Sequence, residues 1–66
     1  MKAMYKTKKR TSTFTEKGVP DKPLPVGLLI EPVAFSSTDV VIRDLCNGVT
    51  FRISISAFEA DFEPFN

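Results

Sequence analysis

Sixty-six residues of 7.4 kDa, with nine Lys/Arg against eight Asp/Glu for a net charge of +1, make one small domain. A chain this short buries only about 60% of the surface its unfolded form exposes. It holds no histidine and one cysteine, Cys46, which excludes a Ser-His-Asp triad, a Cys-His pair, a histidine metal site and an internal disulfide. The longest apolar run, Val26-Gly27-Leu28-Leu29-Ile30, falls far short of the roughly 20 residues of a membrane-spanning helix.

Charge divides the chain unevenly. Residues 1–22 carry seven Lys/Arg and two acids, a net +5, whereas residues 23–66 carry two Arg and six acids, a net −4. The first stretch, Met1-Lys2-Ala3-Met4-Tyr5-Lys6, lacks the apolar core of a secretory leader, and with a single cysteine it points to the cytosol. Residues 1–17 read as a basic, partly disordered arm, mobile over about the first ten residues. Within it, Thr11-Ser12-Thr13-Phe14-Thr15 has the β-branched spacing of a short edge strand. Residues 18–66 read as a single small β domain.

Residues 18–25, Gly-Val-Pro-Asp-Lys-Pro-Leu-Pro, hold three of the five prolines and predict a stiff extended connector. Pro20 and Pro23 also have PxxP spacing, which suits an SH3 ligand, although the linker reading is preferred. Val26–Glu31 and Val33–Phe35 are apolar runs around Pro32, which marks an edge, a bulge or a bend. Ser36-Ser37-Thr38-Asp39 is a turn cluster.

Asn47-Gly48 between two alternating runs predicts a hairpin of strands 40–46 and 49–55 with a two-residue type I′ turn. That register places Val40, Ile42, Cys46, Val49, Phe51, Ile53 and Ile55 on one face, with Asp44 its sole polar member. Arg43 and Arg52 then stand directly opposite on the other face, where like charges need an anionic answer from Glu31, from the acids at 59–63 or from a partner. A three-residue loop over 46–48 turns the first strand over and puts Arg43 on the core face instead. The two-residue loop gives the cleaner core. Beyond the hairpin, Ser56 and Glu59 form a capping box for at most one helical turn near 57–62, which sets Phe58 and Phe62 against the body. Pro64 stops that turn, and Phe65 is a last apolar anchor.

These features predict an all-β fold, a small SH3-like or related barrel of four to five strands with one short C-terminal helical turn. The segment Val40–Phe65, ending in Ile53-Ser54-Ile55-Ser56-Ala57-Phe58-Glu59-Ala60-Asp61-Phe62-Glu63-Pro64-Phe65, resembles the closing part of small SH3-like barrel proteins encoded by tailed phages. The resemblance implies fold and origin, and carries over no functional residue.

Chemistry is sparse. Asp61 and Glu63 beside Glu59 suit a carboxylate pair or a Ca²⁺ ion only loosely, and a solvated acidic surface is the simpler reading. Cys46 reads as a small core hydrophobe. No catalytic residue, metal site or cofactor is expected. Partner binding is assigned to Lys6, Lys8, Lys9, Arg10, Arg43 and Arg52. The leading expectation is a non-enzymatic, phage-type modulator or inhibitor docking on a larger host protein, with homodimerisation as a further way to cover its apolar surface. The alternative is a nucleic-acid-binding β-barrel using the basic arm and the two arginines, with Tyr5 and Phe14 as stacking groups.

Overall fold

Burial alternates residue by residue along Asp39–Asp44, as β-branched side chains on a pleated strand require. This is β3 of the computed structural model, which describes residues 3–15 and 17–65. Met1, Lys2, Glu16 and Asn66 lie outside the described residues, and with Met1 and Lys2 goes the start of the stretch expected to be mobile. The other elements are β1 (Tyr5–Thr7), β2 (Leu29–Phe35), β4 (Thr50–Ser54), helix α1 (Ile55–Asp61) and β5 (Phe62–Pro64). The five strands form one antiparallel sheet in the order β4-β3-β2-β1-β5. The fold is therefore all-β with one short helix, as the sequence predicts.

Leu24, Ile30, Val40, Ile42, Ile53 and Phe62 form the core, with Tyr5, Leu28, Phe51, Ile55 and Phe58 packed against it. Pro32 sits at a register shift in the β2–β3 ladder, the bulge that a strand proline without an N–H favours.

The hairpin register departs from both expected loops. Ile42 pairs with Phe51 and Arg43 with Thr50, so the loop is Leu45–Gly48, four residues long. The Asp44 N–H donates to the Val49 carbonyl and the Gly48 N–H to the Asp44 carbonyl, each at 2.8 Å. A type I′ turn needs positive φ at both Asn47 and Gly48. Only Gly48 has it, at 75°. The Asp44 carboxylate accepts from the Cys46 N–H at 2.8 Å and starts the turn early. The slip is by two residues, so every side chain keeps its face. Val40, Ile42 and Ile53 are buried as expected, but Cys46 is carried into the loop and Val49, just beyond it, is exposed. Cys46 is an exposed free thiol, not a core residue.

The same slip shortens β4. Ile55 donates its N–H to the Thr38 carbonyl at 3.0 Å and opens α1, which Ser54 caps by accepting from the Ala57 N–H at 3.1 Å. The cap is thus Ser54 rather than Ser56. The helix closes at Phe62, whose extended backbone enters β5, before Pro64 is reached. Phe65, expected as an anchor, is exposed.

The largest difference lies at the N-terminus. Tyr5–Thr7 is an interior strand, bonded to β2 on one side and to β5 on the other. The described residues between β1 and β2 fold back as an antiparallel excursion bridged at Thr11–Leu24 and Phe14–Pro20. Between the prolines, the Asp21 and Leu24 N–H groups still donate to the Thr13 and Thr11 carbonyls at 2.9 and 2.8 Å, and threonine hydroxyls add to these bonds. Thr7 donates to the Pro25 carbonyl and Thr13 to the Lys22 carbonyl, each at 2.6 Å. The proline-rich stretch is the partner of residues 11–14, not a connector.

Candidate binding surface

Antiparallel register defines the face opposite the core. Lys6 pairs with Leu29, Glu31 with Arg43 and Arg43 with Thr50, while Arg52 lies two residues along β4 from Thr50. Lys6, Arg43 and Arg52 therefore share the outer face. Arg52 stands opposite Val41, so the two arginines are diagonal rather than opposed. Each has an acid of its own: the Arg43 guanidinium reaches Glu31 at 3.0 Å and the Arg52 guanidinium reaches Asp39 at 3.4 Å. The expected answer from Glu31 is present for Arg43. For Arg52 it comes from Asp39, which the turn before β3 delivers. The Arg52 Nε is buried with no hydrogen-bond acceptor among the described residues.

Lys8, Lys9 and Arg10 follow β1 and are exposed. They do not form a basic arm remote from an acidic body. Lys6 pairs with Glu63 across β1 and β5, and the Lys8 N–H donates to the Asp61 carbonyl at 2.8 Å. The Thr11 hydroxyl, in turn, lies 3.3 Å from the Asp61 carboxylate. Folding thus lays the cationic stretch along the acidic C-terminal segment. Among the described residues, no three His, Cys, Asp or Glu side chains are grouped to hold a metal ion. No helix among them is long and apolar enough to cross a membrane.

Two clefts among the described residues are lined in part by Arg52 and Arg43. One, of about 270 Å³, lies between Phe14, Thr15 and Asp21 of the β1–β2 excursion and Val41, Thr50 and Arg52 of the hairpin. The other, of about 380 Å³, is lined by Ala3, Glu31, Pro32, Val33, Phe35 and Arg43. Phe35 is 64% exposed. Its ring and that of Phe58 meet in a T-shape at a centroid distance of 5.9 Å, and Phe58 packs in turn on Tyr5 at 4.9 Å and Phe62 at 5.4 Å. The second cleft was not legible as a site, because Val33-Ala34-Phe35 reads as strand interior. The available signal was Pro32, whose bulge alters which side chains face outward, and the turn at Ser36 that leaves Phe35 at a strand end.

No protein-family model, curated protein or solved structure matches this chain.

Proposed function

We propose that this chain is a non-enzymatic binding protein that docks on a larger protein, acting in the cytosol as a phage-type modulator or inhibitor of a host target. The observation that carries the reading is Phe35: a large ring, mostly in solvent, held at the end of a strand beside an apolar cleft and braced by Phe58. Exposed apolar residues are ordinary when scattered, whereas a contiguous group with a braced aromatic has the makings of an interface anchor. Arg43, held by the buried Glu31 at 3.0 Å, lines the same cleft and supplies a polar group that orients a partner without a large net charge.

The nucleic-acid alternative retains one favourable observation, the exposed run Lys8-Lys9-Arg10. Backbone neutralisation needs a broad positive surface. Here Arg43 and Arg52 are paired with acids and Lys6 lies across from Glu63, which favours the protein partner.

The test uses the full chain, a Phe35→Ser variant and a variant with Lys8, Lys9 and Arg10 changed to Gln. Each is run against host lysate and, separately, against random oligonucleotides at low and high salt. A protein retained by the wild type and the Gln variant but lost with Phe35→Ser supports the proposal. Salt-sensitive oligonucleotide binding lost only in the Gln variant overturns it. Concentration-dependent self-association abolished by Phe35→Ser assigns the surface to a second copy instead, and also overturns it.

A further inference from the structure

The Leu45–Gly48 loop carries chemistry unrelated to docking. Asn47 and Gly48 are exposed, and a Cβ built at Gly48 meets nothing within 4 Å, so the space around this peptide is open. The Asn47 side-chain oxygen accepts the Val49 N–H at 2.9 Å, which folds the side-chain amide back along the Gly48 peptide. That bond also polarises the amide carbonyl, with a backbone donor placed on the oxygen where charge develops under nucleophilic attack. One contact works the other way. The Gly48 N–H donates to the Asp44 carbonyl at 2.8 Å, which keeps the attacking nitrogen protonated and turned away.

We propose that Asn47 is a site of spontaneous succinimide formation and deamidation, gated by opening of the Gly48–Asp44 hydrogen bond. The Gly48 nitrogen, its proton lost to water or hydroxide, bonds to the Asn47 side-chain carbonyl carbon. The carbon–nitrogen bond of the side-chain amide breaks, and that nitrogen takes up a proton and departs as ammonia. Water then opens the five-membered ring at either carbonyl, leaving an aspartate or an isoaspartate at this position. No oxidant, metal or enzyme is required. Glycine favours the reaction because no Cβ hinders its nitrogen. The gate is a local opening of one loop, which occurs without global unfolding.

The products differ in consequence. An aspartate still accepts from the Val49 N–H and leaves the turn intact. An isoaspartate inserts a methylene into the backbone of a four-residue loop and breaks the register of its hydrogen bonds.

The experiment incubates the full folded chain in warm, mildly alkaline buffer beside a synthetic peptide of residues 44–52, the fragment trypsin releases between Arg43 and Arg52. The readouts are the mass gain of an amide-to-acid conversion and isoaspartate-specific methylation. Conversion of the folded chain at this fragment, several-fold slower than in the free peptide and yielding both products, is the expected result. No conversion of the folded chain while the peptide converts overturns the site. Equal rates overturn the gate. Persistence of the mass gain in an Asn47→Gln variant places the reaction elsewhere and overturns the assignment.

Discussion

Phe14 and Arg52 exchange both of their backbone hydrogen bonds, at 2.8 Å and 3.3 Å, and so tie the long β1–β2 excursion to the outer edge of β4. An edge strand presents unpaired donors and acceptors that invite pairing with other chains, and this bridge occupies part of that edge. The Phe14 amide is expected to exchange slowly, within the range of the β3–β4 ladder amides, although it lies in a 21-residue connection. Native-state hydrogen exchange resolved by residue checks this. Exchange at the rate of a free loop would show that the excursion is not docked on β4.

Thr7 is fully buried on β1, and its hydroxyl serves two backbone groups at once: it donates to the Pro25 carbonyl at 2.6 Å and accepts from the Leu28 N–H at 2.8 Å. Thr7→Val keeps the shape and removes both bonds. Stranding buried partners costs about 1–3 kcal/mol, so the urea midpoint should fall clearly. Thr15→Val, at an exposed hydroxyl that accepts only from the Val19 N–H, is expected to stay within about 0.5 kcal/mol of wild type.

Two serines compete for the start of α1, and the geometry separates them. Ser54→Ala removes the cap on the Ala57 N–H and should cost about 1 kcal/mol. The Ser56 hydroxyl touches only that of Ser54, at 3.3 Å, so Ser56→Ala is expected to change stability by less than about 0.5 kcal/mol. Chemical denaturation of the two variants side by side decides between the caps, and the reverse order would restore the Ser56 capping box.

Arg52→Gln breaks a partly exposed ion pair and should cost no more than about 1 kcal/mol, whereas Arg43→Gln takes a charged hydrogen bond from the buried Glu31 carboxylate and should cost about 1–3 kcal/mol. Because the arginines are diagonal rather than opposed, the double variant is expected to equal the sum of the singles within about 0.5 kcal/mol. Directly opposed guanidinium groups would repel, and losing either would relieve the other. A double variant clearly less stable than that sum would therefore return the hairpin to the two-residue loop.

Much of the fold was legible in local pattern. Alternation of β-branched residues marks β3 and β4, Asn47-Gly48 locates their hairpin, and Pro32 announces a bulge. Face assignment survived the wrong register because a slip of two residues conserves parity on a pleat. The site was less legible. Arg43 and Arg52 do lie on the outer face as expected, but which acid answers each depends on where Asp39 and Glu31 arrive in the sheet.

What composition and spacing determined by themselves is the fold class, the apolar inner face of the hairpin and the absence of histidine chemistry, since each depends on residue identity or on period alone. Tertiary structure decided the rest. Three residues of a lysine-rich segment, Tyr5–Thr7, become an interior strand because β2 and β5 both present unpaired edges to them, a long-range demand with no local signal. The stretch 18–25 is held by backbone bonds such as the reciprocal pair between Thr11 and Leu24. Threonine hydroxyls of β1 and residue 13 supplement these, donating to its carbonyls across sequence separations of 18 and 9. The hairpin turn, too, was settled by a side chain: the Asp44 carboxylate captures the Cys46 N–H, and a four-residue loop with positive φ at Gly48 alone replaces the tight turn that Asn-Gly favours in isolation.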